Sequence, residues 1–267
     1  MARLSGKGGA AFVATTVIES CEDAWNEQVV ANVTSTLDNT DYQIGSGSAK
    51  FVLAAGVGLE IIGSEAFAAQ SISTSEDILC WIKSSVALNA GDFQLLLDDT
   101  ADCASPLETI DIPALSASTW AYVSLPLANP STDLNLISVG LQQAVDKGAL
   151  TLHIDDVRAS EKIAGIKSWT LDQSTATEDV TGFDSGGFKN HVPTVTGWAG
   201  SFEGFKDGAP LSTGSIVGLE LQESTTSTQT WKGSAILNSR NSVVDVSDVV
   251  RYSYNFTGIH ELVIPTA

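Results

Sequence analysis

The stretch HIDDVRASEKIAGIKSWTLDQ, residues 153–173, changes character halfway along. Its left half reads as the closing strand of one β unit, and its right half, from Ile163, reads as an early strand of another. An early strand should have a predecessor, and none lies between these two halves. The position of that missing strand decides how the chain is organised.

Charge marks the same boundary. The 267 residues carry 32 acidic and 13 basic side chains, a formal −19. Between Thr15 and Ser160 there are 20 acids and 4 bases, giving −16, whereas the remainder has 12 and 9, giving −3. A step of this size at two positions points to two units of separate origin, and the length suits two modest domains, each with its own core. The acidic block is unsuited to direct nucleic-acid binding, which rests on Lys and Arg neutralising phosphates.

No apolar run has the length of a membrane span, and MARLSGKGGAAFVA (1–14) is too short and broken for a secretory signal, so a soluble, unprocessed protein is expected. Cys21, Cys80 and Cys103 form no C-x-x-C pair and read as small buried hydrophobes rather than a disulfide framework or a zinc site. The acceptor patterns at Asn32 and Asn255 carry no weight without a secretion signal.

Apolar segments alternate with period two and are bounded by Gly, Asn, Asp, Ser or Pro, which predicts an all-β chain. Expected strands are 50–54, 78–84, 93–97, 120–127, 137–141 and 150–157 in the first block, then 166–172, 194–205, 216–223, 230–238 and 249–257. Residues 65–70 could form a turn or two of helix, and the loops 45–48 and 224–229 are small and polar. Along 150–157, alternation puts Leu150, Leu152, Ile154 and Asp156 on one face and His153 and Asp155 on the other. Catalysis is not expected. The acidic pairs Asp98–Asp99 and Asp155–Asp156 are strand neighbours that point apart, and there is no nucleophile elbow, phosphate loop or HExxH.

The first block runs VIESCEDAW, YQIGSGSAKFVL, ILCWIKSS, TWAYVSLPL, LTLHIDDVRA, an order of features that resembles the galactose-binding-like jelly-roll of carbohydrate-binding modules. The resemblance implies a β-sandwich. It also implies a structural calcium near the first and last strands, with Glu19, Asp155 and Asp156 as candidate ligands. The other reading of these acids is a solvated or hydrogen-bonded rim. Trp25 and Tyr42, with Trp81, Trp120 and Tyr122, are candidates for a glycan-stacking platform; strand aromatics are otherwise core.

From Ile163, the loop with DVTGFDSGG (179–187), the strand GWAGSFEG (197–204) and the ending SVVDVSDVVRYSYNFTGIHELV resemble the tail tube (major tail) proteins of long-tailed lambda-like phages. Members of that family commonly open with a Lys- and Gly-bearing segment running into a short strand. RLSGKGGAAFVA (3–14) is similar to that opening, so the missing first strand is placed at the N-terminus. The expected fold is therefore an all-β tail-tube sandwich (1–14 and 161–267) interrupted after its first strand by an inserted jelly-roll (15–160). Insertion into an exposed turn is tolerated when the guest's termini lie close together. One departure is KDGAPLSTGS (206–215), too short and too rich in Pro and Gly for the helix many tube proteins place there.

The resemblance implies a structural subunit of hexameric rings stacked into a tube, in the virion tail and assembled in the host cytoplasm. Its partners would be other copies of itself, the tape measure and terminator proteins, and DNA passing through the lumen without specific binding. No membrane partner and no required cofactor are expected. The segment 174–194 is longer than a hairpin needs, and Asp179, Val180, Phe183, Asp184, Phe188, Lys189 and His191 are the expected assembly contacts; the other reading is a surface loop. The inserted block is expected to decorate the tube, either binding host-surface glycans through avidity or bracing neighbouring rings. The alternative for the whole chain is a non-enzymatic two-domain carbohydrate-binding or adhesion protein, which would remain monomeric.

Overall fold

The computed structural model describes residues 6–29, 31–225 and 229–265; parts of the opening segment (3–5) and of the loop at 224–229 (226–228) lie outside them. The strands in chain order are β1 (Ala10–Glu19), β2 (Asn26–Glu27), β3 (Val33–Asp38), β4 (Ser48–Leu53), β5 (Ile61–Gln70) and β6 (Ser75–Ser84). Then come β7 (Phe93–Asp98), β8 (Glu108–Asp111), β9 (Ala121–Pro126), β10 (Leu136–Gln143) and β11 (Leu150–Lys162). The last five are β12 (Ile166–Asp179), β13 (His191–Phe205), β14 (Ile216–Gln222), β15 (Thr230–Val243) and β16 (Arg251–Val263). Among the described residues, helix is limited to three-residue 3-10 turns, and no helix is long and apolar enough to cross a membrane. The protein is all-β.

The chain divides into two compact units, Met1–Val13 with Ile163–Ala267, and Ala14–Lys162. In the second of these, one sheet is built on β11, which pairs antiparallel with β4 and with β6; β3 extends β4 and β9 extends β6. The other sheet has the order β2-β5-β10-β7-β8. Alternate residues of both sheets, among them Phe51, Ile78, Cys80, Ile82, Phe93, Leu95, Leu97, Val139 and Leu141, form one core. Each such side chain contributes about 1.5–3 kcal/mol by leaving water.

Two expectations are corrected here. Residues 65–70 are not helical but form the end of β5, with Ala66 opposite Ser138 and Gln70 opposite Leu136 of β10. The local helix preference of its alanines has yielded to a ladder that also satisfies the backbone. In β11, alternation fails after Asp155. Asp156 takes φ 52° at a bulge between the partners of Asp155 and Arg158, so it leaves the face of Leu150, Leu152 and Ile154, and Val157 enters the core instead. Cys21, Cys80 and Cys103 are free, buried thiols, and burial pushes the Cys103 thiol up to about 11.

The first unit has the order β12-β13-β16-β15-β14-β1, to which β1 brings Ala10–Val13, and Ile163 donates to the Ala11 carbonyl at 2.9 Å. Its core holds Val217, Leu219, Leu221, Ala235 and Leu237 with an aromatic stack in which Phe202 lies 5.0 Å from Tyr254 and 6.2 Å from Phe256. Trp198 lies so close to Gly258 that a Cβ there would come within 1.9 Å of its ring, and its indole donates to the His260 carbonyl at 3.2 Å. The segment 206–215 is a loop, tied down by the Leu211 amide donating to the Tyr254 hydroxyl.

Candidate assembly surface

The segment 174–194 is not a long connection. Strands β12 and β13 continue through it as a ladder, from Ser174 opposite Gly197 to Asp179 opposite His191, and leave only 180–190 as loop. Alternation could not reveal this extension, because Thr, Ser, Asp and Glu occupy both of its faces. From Gln173 to Asp179 and from His191 to Gly197 all side chains are exposed. A cross-strand hydroxyl pair, Thr175 with Thr196 at 2.9 Å, precedes a one-residue register shift at Ala176, whose carbonyl accepts from the Thr194 hydroxyl at 3.1 Å.

The loop organises itself. Asp179 accepts from the Thr181 amide at 3.0 Å and from its hydroxyl, which holds the carboxyl below its usual range, and the Thr181 hydroxyl accepts from the Asn190 amide at 2.9 Å. The Val180 amide donates to the Asn190 carbonyl, and Lys189 pairs with Asp179 at 3.6 Å. Gly186 and Gly187 take φ 63° and 87°, a left-handed step that side chains resist. This tip presents Phe183, at 114 % relative exposure, and Phe188 outward, with Val180, Asp184 and His191 also exposed.

A second ribbon lies at the other end of the same sheet. Strands β15 and β16 stay paired from Asn241 opposite Ser253 to Val243 opposite Arg251, past the last buried side chain of β15. Because β13 meets β16 antiparallel, with Ala199 opposite Thr257 and Phe205 opposite Arg251, the two tips project in opposite directions along the strands. The second tip exposes Val243, Val244, Val246 and Val249, and is braced by Asp245 accepting from the Ser247 amide at 2.8 Å and by the Arg251–Asp248 pair. At its base a cleft of about 190 Å³ is lined by Lys167, Glu203, Phe205, Val243, Arg251 and Tyr252, with the Arg251 guanidinium 5.8 Å from the Phe205 ring. Neither the valine tip nor this cleft was anticipated, although the run of valines at 243–250 was a visible signal.

In the second unit the candidate ligands and aromatics part company. Glu19 accepts from the Cys21 amide at 2.8 Å, and burial raises its carboxyl. Asp155 accepts from the Gln43 and Ile44 amides at 2.7 and 2.9 Å through one oxygen, and burial pushes it up to about 7 against those bonds. Asp156 is taken by the Arg158 guanidinium at 2.7 and 2.8 Å, so the rim reading fits it better than a metal role. Among the described residues no group of three or more His, Cys, Asp or Glu is placed to hold a metal ion.

Trp25 is corrected outright. It is 2 % exposed and packs edge-on against Phe51 at 5.7 Å, so it offers no face to a sugar. Trp81 and Tyr122 are also buried, 4.9 Å apart. Tyr42 remains exposed at 39 %, and Trp120 is half-buried with its indole donating to Asp41 at 2.7 Å.

No protein-family model matches the chain, and no curated protein matches it. Among solved structures it is similar to a chain of the tail of an empty gene transfer agent particle with C6 symmetry: 17 % identity, 40 % of this chain and 87 % of that one, TM-score 0.34. It is also similar to a chain of the virion of a native gene transfer agent particle, with 18 % identity, 40 % and 89 % coverage, and TM-score 0.34.

Proposed function

We propose that the chain is a structural subunit of a phage-type tail tube, whose first unit closes into hexameric rings that stack into a conduit for DNA. The observation that carries this reading is the pair of opposed ribbons. Each runs beyond the core it belongs to, each ends in exposed apolar side chains, and they leave the sheet at opposite ends. A two-stranded ribbon is marginal alone in water. Repeating copies joined head to tail would cover both ends at once, and contacts of that kind build rings and tubes. The motifs from Ile163 onward, which resemble tail tube proteins, support the same reading.

The role is non-catalytic, in a virion tail assembled in the host cytoplasm, with tape measure and terminator proteins as neighbours. The acidic second unit is a decoration repeated on every subunit. Host glycans are its proposed ligand, with Tyr42 and Trp120 as the aromatic faces left for weak, multivalent stacking.

Negative-stain electron microscopy of the concentrated full-length protein tests the assembly, beside a variant carrying Phe183→Ser and Phe188→Ser. Hollow rings or tubes from the wild type and dispersed subunits from the variant are expected. Monomers from both would favour the two-domain binding protein.

A further inference from the structure

The buried carboxylates of the second unit are nearly all engaged. Asp92 faces Lys147 at 3.0 Å, Asp98 accepts from the Ser105 amide at 2.8 Å, and Asp156 holds Arg158. Asp133 differs: it is 0 % exposed, and neither of its carboxylate oxygens has a hydrogen-bond partner. An isolated ionised carboxylate in such a place costs several kcal/mol.

Its surroundings add negative charge. Asp133 closes the loop 128–133, which is wrapped onto a second enclosed carboxylate, Glu108: the Asn129 and Ala128 amides donate to the two Glu108 oxygens at 2.6 and 3.0 Å. The loop is turned by the Asn129 carbonyl accepting from the Thr132 amide at 3.0 Å and its hydroxyl at 2.8 Å, and by Pro130 accepting from the Asp133 amide at 2.9 Å. The Asp133 carbonyl takes the Ile72 amide at 2.9 Å, and the adjoining turn carries Ser75, whose buried hydroxyl also has no partner. Burial first, then the Glu108 charge, pushes the Asp133 carboxyl up to about 6. The loop thus encloses one carboxylate without a partner beside the turn that caps another, both out of contact with solvent.

We propose that Asp133 and Glu108 bind a hard divalent cation of the calcium class, with loop carbonyls and water completing its shell. The donors are all oxygens, which suits calcium rather than a thiolate- or imidazole-seeking metal. The loop 128–133 already holds Glu108 by two amides, so the cation would fix its free end. This proposal does not rest on the assembly reading.

Thermal unfolding of the full chain at neutral pH, in excess calcium chloride and in chelator, tests it. The expected result is a rise of several degrees with calcium, on the order of what a well-occupied site gives, lost in Asp133→Asn and in Glu108→Gln. No rise in the wild type overturns the proposal and leaves Asp133 as a proton site. A rise that persists in both variants places the cation elsewhere and overturns it too. Should one variant not fold, calorimetric titration with calcium of the wild type and of the variant that folds decides: one-to-one binding in the wild type that the folded variant lacks supports the site, and absent binding, or binding the variant keeps, overturns it.

Discussion

In the second unit, β6, β7, β10 and β11 bury almost every residue along their length, whereas in the first unit burial stops partway along β12, β13 and β15 while the ladders continue. Both units have dense cores. One closes on itself; the other spends backbone pairing on ribbons that bury nothing in a single copy. Regular structure without burial contributes little stability by itself, so the ribbons are better explained by what they touch than by what they hold up.

The largest effects should fall inside the cores. Phe51→Ala in the second unit and Phe202→Ala in the first each remove a wholly buried ring, and about 3–5 kcal/mol should be lost in denaturant unfolding. A loss under about 1 kcal/mol for Phe202→Ala would erase the contrast between core and ribbon. Gly258→Ala should cost somewhat less, on the order of 2–3 kcal/mol, because Trp198 must shift from a position that leaves 1.9 Å for the new methyl group. Near-ultraviolet circular dichroism should report the displaced indole.

Asp155 sharpens the comparison through pH. Its carboxyl is raised to about 7 in the folded chain, so the folded state binds more protons than the unfolded one between about pH 4 and pH 7. Its contribution is thus present below the ordinary carboxylate range and is lost as pH rises to about 7, at roughly 1.4 kcal/mol per unit. Asp38 has the opposite sign: hydrogen bonds from Thr40, then Lys50, depress its carboxyl, so its contribution is lost only under stronger acid. Asp155→Asn keeps an acceptor for the Gln43 and Ile44 amides and should remove Asp155's share of the slope between pH 4 and 7, leaving the share of Asp133, which is raised to about 6; an unchanged slope would show that other groups set it.

The smallest stability effects belong to the ribbon. Phe183→Ser with Phe188→Ser should change unfolding free energy by less than about 0.5 kcal/mol, and Lys189→Ala, which removes an exposed pair with Asp179, by no more. Loss of assembly at unchanged stability would separate the ribbon's two roles.

Strands such as β6, β7 and β14 were legible because each holds a short, predominantly apolar run bounded by marked turns. The two ribbons were not. Their polar, Thr-rich faces carry no burial signal, and only the ladder shows that 173–179 and 191–193 are strand. β5 was misread because its alanines suit a helix when no partner strand is visible. The Asp156 bulge was hidden for a related reason: alternation assumes an unbroken pleat, and only the pairing with β6 shows two residues set against one. The exposed loop residues from Asp179 to His191 could be picked out by composition, while Trp25 could not be told from a surface aromatic until Phe51 was found beside it. The Asp133–Glu108 pair lies 25 residues apart in sequence and has no motif.

Strand β1 hands its first four residues, Ala10–Val13, to one unit and its remainder to the other, with no loop between. On a ribosome this sets an order of events. The partner of Ala10–Val13 is β14, which begins at Ile216, about two hundred residues later, some 10–40 s at ordinary synthesis rates. All of Ala14–Lys162 has emerged by then and can fold without waiting. The N-terminal segment thus emerges long before the rest of its own sheet is made. The sheet that carries both ribbons is therefore made after the acidic block has emerged, and a net charge far from zero disfavours association between neighbouring chains.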